Sequence, residues 1–138
     1  AMGAQAAFPG RQVIAVCGDG GFQMNLQEMA SLVQHRLPVK ICILNNSFLG
    51  MVRQWQELFF DKRYSQTCME TPIDFIKLAE AFGAKGFQAT KPDEVEAVIK
   101  KGFKTPGPVI MEFKVAREEK VLPMVPAGAS LTEMVLAS

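Results

Sequence analysis

The sequence predicts a three-layer α/β/α domain with a mostly parallel sheet of about five or six strands and helices on both faces. Two observations carry this. Val13-Ile14-Ala15-Val16-Cys17 and Val39-Lys40-Ile41-Cys42-Ile43-Leu44 are short apolar runs rich in β-branched residues, and both read as buried strands. Between them, Phe22, Leu26, Met29, Ala30 and Val33 recur at helical spacing, with Gln23, Gln27, Glu28, Ser31 and Gln34 on the other face. Strand, helix and strand within about thirty residues make a βαβ unit, whose crossover leaves the two strands parallel.

Before this unit, Ala1 to Phe8 reads as a small-residue helix that Phe8-Pro9-Gly10 terminates. It lacks the charged start and cleavage pattern of a signal peptide, and is expected to be the cut start of a longer polypeptide. Beyond the second strand, Ser47-Phe48-Leu49-Gly50 is a link, after which Val52, Trp55 and Phe59 recur as one face of a helix. On spacing alone that stripe docks on the sheet, but its position directly after the turn that ends the second strand puts its first residues at the mouth of a site there. Asp61 to Cys68 is polar and aperiodic, a loop. Thr71-Pro72 reads as N-cap and first helical residue, with Asp74 at the third; Phe75, Leu78, Ala79 and Phe82 form the apolar stripe, and Gly83 stops it. Gly86 to Ala89 is a short strand. Thr90-Lys91-Pro92-Asp93 opens a helix with Val95, Val98, Ile99 and Gly102 inward, and Val109 to Val115 is a further strand. In the tail, Arg117-Glu118-Glu119-Lys120 reads as a solvated charge run. Pro123 and Pro126 exclude a regular helix over Val121 to Pro126, so this apolar stretch is expected to fold back over the domain or onto a partner.

The 138 residues suit one domain that buries roughly two-thirds of its unfolded surface. A net charge of +1 leaves no electrostatic footprint for nucleic acid. No apolar run approaches the roughly twenty residues that cross a bilayer, so a soluble protein is expected. Cys17, Cys42 and Cys68 are widely spaced and accompanied by a single histidine, His35, which argues against zinc and against a disulfide framework. Cys17 and Cys42 are read as small strand hydrophobes, and a reducing cytoplasm suits all three thiols. His35 falls near a helix C-terminus, where capping or solvation is its role.

Both strands of the βαβ unit end on turns whose residue types specify a ligand. Gly18-Asp19-Gly20-Gly21 follows the first, and Asn45-Asn46 follows the second, the twenty-four residues Gly21 to Leu44 lying between Gly20 and Asn45. In parallel sheets ligands sit beyond the carboxyl ends of the strands, at a switch point in strand order, which is where Asp19 and Asn46 are expected. Gly20 and Gly21 let a polyanion approach the backbone, and the following helix offers free N–H groups and the positive end of its dipole. Asp19 alone repels phosphate. A hard cation between them removes the conflict, because magnesium takes a few protein oxygens and completes its octahedron with phosphate oxygens and water. A lone Gly-Asp-Gly is an ordinary turn; both turns together point to a magnesium diphosphate.

On these residues the chain resembles the thiamine diphosphate-dependent enzymes that decarboxylate 2-keto acids, Gly18-Asp19-Gly20 and Asn45-Asn46 being similar to their cofactor signature. The similarity is closer still to the catalytic subunit of acetohydroxyacid synthase, or acetolactate synthase. Gly50-Met51-Val52-Arg53-Gln54-Trp55 looks like the stretch beside the thiazolium and substrate, and Val121 to Pro126 with Gly128 looks like the C-terminal arm. The resemblance runs along essentially the whole chain and covers the last of three domains in the family. It implies a cofactor domain over residues 1–115 and an arm over 116–138. Thiamine diphosphate would meet Gly18, Asp19, Gly20, Gly21, Asn46, Phe48, Leu49, Gly50 and Met51. Mg2+ would be held by Asp19, Asn46 and the backbone carbonyl of Phe48. Many relatives carry acidic or polar residues where this chain has Ser47, Phe48 and Leu49, a departure that a backbone ligand tolerates. Ala127 stands where relatives often carry serine, and no polar contact is assigned to it.

The resemblance further implies a reaction. Pyruvate is decarboxylated on thiamine diphosphate, and the two-carbon remainder is joined to pyruvate or 2-ketobutyrate, in branched-chain amino-acid biosynthesis. Met51 and Val52 would wall the cofactor's reactive carbon, and Trp55 would favour 2-ketobutyrate, one methylene on an indole face being worth ~1 to 3 kcal/mol. Glu57 and Asp61 lie on a helix face and in a loop, and neither is placed as a general base; in the family the activating glutamate comes from another domain across a subunit interface. This fragment alone is therefore expected to be inactive. FAD is expected in the full enzyme but bound outside these residues, with a homodimer or tetramer formed through the missing domains and a regulatory small subunit as a further partner. Two other readings stand beside this one: another thiamine diphosphate-dependent decarboxylase, carboligase or oxidase, and a non-catalytic nucleotide- or phosphate-binding regulatory module.

Overall fold

The structure, a computed structural model, describes residues 1–69 and 73–136. Four strands, β1 (Ile14–Gly18), β2 (Lys40–Asn45), β3 (Lys85–Ala89) and β4 (Val109–Lys114), form one parallel sheet in the order β1-β2-β4-β3. Six helices accompany them: α1 (Met2–Ala7), α2 (Asp19–Gln23), α3 (Glu28–Gln34), α4 (Gly50–Phe59), α5 (Phe75–Ala81) and α6 (Val95–Lys104).

Strand order dictates the layering. The steps from β1 to β2 and from β2 to β3 run in one direction across the sheet, and the step from β3 to β4 runs back. Right-handed crossovers then place α2, α3 and α5 of the first two connections on one face and α6 of the third on the other. Phe22, Met29, Leu32, Phe75 and Ala79 accordingly pack on Ile41, Ile43 and Ile110, while Val95, Val98 and Ile99 cover Val109, Met111 and Phe113. Ile43 and Ile110 are wholly buried, each contributing about 1.5–3 kcal/mol of apolar transfer.

Several expectations need correction. The sheet has four strands among the described residues rather than five or six. Asp19 and Asn46 lie at the carboxyl ends of β1 and β2 as expected, and among the described residues the strand order reverses at β3. β1 is an edge strand with Ile14 and Val16 exposed, not a buried one. The single helix expected between β1 and β2 is two short ones. Between them the hydrogen bonds from Asn25, Glu28, Met29 and Ala30 N–H all reach back three residues, and that tighter winding turns Leu32 to the core and leaves Ala30 exposed.

The expected Thr71-Pro72 helix start lies outside the described residues. α5 is capped by Asp74, whose carboxylate accepts from Ile76 and Lys77 N–H at 3.1 and 3.0 Å and is held below the ordinary aspartate range chiefly by the Lys77 amide. Gly83, at φ 83°, ends it in a Schellman motif, with bonds Gly83 N–H to Glu80 O and Ala84 N–H to Ala79 O. His35 caps the C-terminus of α3 as expected, and the three cysteines are free. Burial raises the thiol pKa of Cys17 and Cys42, as suits their packing role. Among the described residues no helix is long and apolar enough to cross a membrane.

Candidate functional site

A cleft of about 270 Å³ opens at the carboxyl ends of β1 and β2. It brings together Gly18, Asp19, Gly20, Gly21, Asn46, Phe48, Leu49 and Gly50, which are the expected cofactor contacts except Met51. Gly18 is the extended N-cap of α2, so Asp19, Gly20 and Gly21 form the helix's first turn, where backbone N–H groups have no intrahelical acceptor. The two glycines serve different ends. A Cβ on Gly20 would lie 2.6 Å from Leu49 Cδ2, so glycine there seats the Leu49 side chain. A Cβ on Gly21 would meet nothing within 4 Å, so glycine there leaves the space beside the backbone open.

The electrostatics of this cleft ask for a cation. Asp19 is 3% exposed, and its Oδ1 has no hydrogen-bond partner. A buried carboxylate oxygen without a partner is costly, and a hard cation is the partner its chemistry fits. Asn46 Oδ1 accepts from Phe48 N–H at 3.1 Å, which leaves one of its two lone pairs free. One carboxylate with amide and carbonyl oxygens suits magnesium rather than zinc. Among the described residues no group of three or more His, Cys, Asp and Glu could hold a metal ion.

The Asn45-Asn46 turn is held from below and from the side. Asn45 Oδ1 accepts from Ser47 N–H at 3.0 Å, and Ser47 takes the left-handed conformation at φ 58°. The loop expected at 61–68 pairs with this turn: Leu49 N–H donates to Thr67 O at 2.8 Å and Met69 N–H to Ser47 O at 2.9 Å.

Met51, Val52 and Trp55 lie next door in a second cleft of about 590 Å³, completed by Gln56, Phe60 and Arg63. The stripe on α4 does not dock on the sheet; Val52, Trp55 and Phe59 are all exposed, with Trp55 and Phe59 edge to face at 5.7 Å. No residue of α4 belongs to either core cluster. Its buried residue is Gln54, whose amide donates to Val121 O at 3.0 Å and accepts from Val121 N–H at 2.8 Å, as a neighbouring strand would.

That pairing exposes what the sequence reading missed. The charge run 117–120 is largely exposed, as expected, but it is paired. Glu118 takes a bidentate grip from Arg53 at 2.8 and 3.0 Å, and Lys120 meets Glu57 at 2.8 Å. Arg117 and Arg53 each lie 4.3 Å from the Phe48 ring centre, and Glu119 lines the first cleft. The arm is therefore fastened along α4, beside the residue whose carbonyl was expected on the metal. Glu118 is held below the ordinary glutamate range by Arg53, and Glu57 by Lys120. The usable signal was register: Arg53 and Glu57 share a helix face at i and i+4, opposite in sign to Glu118 and Lys120 at the i and i+2 spacing of extended chain.

Residues 1–113 match the family described as thiamine pyrophosphate enzyme, C-terminal TPP binding domain, and the chain belongs to that family. It is thus a thiamine diphosphate-binding domain. Its curated relatives are acetolactate synthases: it is 46% identical over 136 residues to the large subunit from Porphyra purpurea, covering 98% of this chain and 23% of that protein. It is 46% identical over 134 residues to the large subunit of isozyme 2 from Escherichia coli K12 (97% and 24%), and 50% identical over 135 residues to the mitochondrial catalytic subunit from Saccharomyces cerevisiae (98% and 20%). A solved structure, the thiamine diphosphate-dependent 4-hydroxybenzoylformate decarboxylase of Rhodococcus jostii RHA1, superposes with a TM-score of 0.79 at 30% identity, covering 86% of this chain and 23% of that one. The chain thus spans about a quarter or less of the length of these proteins.

Proposed function

We propose that this chain is the cofactor domain of an acetolactate synthase, which decarboxylates pyruvate and joins the two-carbon remainder to pyruvate or 2-ketobutyrate. The observation that carries the reading is Asp19, buried with an unpartnered oxygen in the same cleft as Asn46, beside an apolar cleft that holds Trp55. Asp19, Asn46 and the Phe48 carbonyl would hold Mg2+, and the amides of the first turn of α2 would take the diphosphate. Thiamine diphosphate supplies the electron sink for decarboxylation.

The chain's own residues bind and orient. Gly21 leaves the backbone open to the diphosphate, Leu49 and Gly50 close the cleft's far wall, and Met51 and Val52 give the reacting end an apolar, water-poor surface. Trp55 offers its indole face to the acceptor keto acid. Glu57 is paired with Lys120, and Asp61 lies exposed on its loop; neither lines either cleft, so the proton-moving carboxylate is assigned to another part of the enzyme. FAD, subunit contacts and a regulatory small subunit belong to those other parts too. Three free thiols suit a reducing compartment such as the cytoplasm.

The test is a product assay on the full-length enzyme with pyruvate and 2-ketobutyrate offered together. Both acetolactate and acetohydroxybutyrate are expected, with Trp55→Leu losing the latter selectively, by ~10- to 200-fold in preference. Acetaldehyde or acetyl phosphate as the sole product would overturn the substrate assignment. The 138 residues alone should show no turnover, and measurable keto-acid consumption by them contradicts the division of labour.

A further inference from the structure

Glu112 lies in the middle of β4, 1% exposed, on the sheet face that packs against α2, α3 and α5. A carboxylate there has left water, and three donors replace it: Asn45 Nδ2 at 2.6 Å and Lys114 Nζ at 2.6 Å on one oxygen, and Gln88 Nε2 at 2.5 Å on the other. Lys114 supplies the countercharge, and Gln88 comes from the strand on the far side of β4. The bond to Asn45 has a further consequence. A carboxylate only accepts, so Asn45 must turn its NH2 toward Glu112 and its oxygen the other way. That oxygen takes the Ser47 N–H at 3.0 Å and holds Ser47 in a left-handed conformation that L-residues seldom adopt. Asn46 and Phe48 flank Ser47 on either side.

We propose that Glu112 is a positioning residue for the metal turn, fixing the orientation of Asn45 and, through Ser47, the placement of Asn46 and the Phe48 carbonyl. The proposal rests on the reading of Asp19 and Asn46 as a magnesium diphosphate site. Glutamine at 112 has one acceptor oxygen for three donors, so it cannot hold Asn45, Lys114 and Gln88 together as the carboxylate does. The buried network on the sheet is then the support that keeps a short polar turn in one conformation before any ligand arrives.

The test uses the full-length enzyme with saturating thiamine diphosphate and Mn2+ in place of magnesium, free Mn2+ being read by electron paramagnetic resonance. Glu112→Gln is expected to raise the Mn2+ dissociation constant about 10- to 100-fold, the range for groups that orient a metal's ligands, while kcat at saturating metal and cofactor stays near the parent's. Asn45→Ala should show the same loss, and the double variant no more than the larger single one. A Glu112→Gln protein with parent-like Mn2+ affinity, whatever its melting temperature, overturns the proposal, and so do losses that multiply in the double variant. Should Glu112→Gln not fold, Asn45→Ala decides, since it leaves Glu112 paired with Gln88 and Lys114; parent-like Mn2+ binding there overturns it equally. Asp19→Ala, in which Mn2+ binding is expected to vanish, separates this from failure of the site: parent-like binding in that variant removes the site itself.

Discussion

The two ends of the ligand-binding surface are built on different physics. At the β1 and β2 ends, the first cleft stands on the parallel sheet and on desolvated polar groups, Asp19, Asn45 and Glu112 among them. Along α4, the second cleft stands on a helix outside both core clusters, fastened to the arm by Arg53–Glu118 and Lys120–Glu57, all near the surface. The first region is preorganised by burial; the second is closed by bonds that water and salt can loosen. Under the proposed function, the first region would be a rigid diphosphate grip and the second an adjustable substrate wall.

Three substitutions and one change of pH sharpen that contrast. The largest effect is expected from Asp19→Ala, which should lower activity of the full-length enzyme by on the order of a hundredfold or more at limiting magnesium, measured as acetolactate formed. Gly21→Ala follows. Its new methyl meets open space in the protein, so the melting temperature should hold while thiamine diphosphate affinity, by calorimetry, falls about tenfold. Gly86→Ala does the reverse: its Cβ would lie 2.9 Å from the Ile76 backbone, costing about 1–3 kcal/mol in denaturant unfolding and leaving the cofactor affinity of the folded protein unchanged.

The smallest effect concerns the arm. Glu118 and Glu57 have carboxyl pKa values lowered by their partners, so their contribution to arm docking is fully present above the ordinary glutamate value of about 4.3 and is lost as pH falls through the lower folded values. Hydrogen exchange over residues 117–121 should therefore accelerate below that pH and in high salt, relative to β2 and β4 at the same pH. Equal acceleration in the strands would contradict the difference between the two regions.

What the sequence disclosed divides along the same line. Strands and turns of the βαβ unit were readable because a parallel strand shows as an unbroken apolar run, though the same run did not disclose that β1 is exposed, and because a phosphate turn needs glycine where the ligand meets the backbone. Asp19 and Asn46 could be placed together because both follow such runs. The break between α2 and α3 was not readable, since three-residue back-bonding around Asn25 leaves the apolar spacing nearly helical. Spacing alone did not disclose the exposed stripe on α4, since it shows that Val52, Trp55 and Phe59 share a face but not what faces them; the position of the stripe directly after the Asn45-Asn46 turn pointed to the site. The arm was expected to fold back, but what fastens it was hidden for a related reason. Four charges in a row look solvated until their partners at Arg53 and Glu57, some sixty residues earlier, are known to lie alongside. Glu112 was hidden inside a strand pattern, where only the third dimension puts Asn45 against it.

The account turns on the two polar turns gripping a magnesium diphosphate, and calorimetric titration of thiamine diphosphate into the full-length enzyme tests it most directly. Binding should be tight with magnesium, abolished by a chelator and by Asp19→Ala, and not displaced by adenine nucleotides. Magnesium-independent binding, or adenine nucleotides competing on equal terms, would contradict it and favour a general phosphate-binding module.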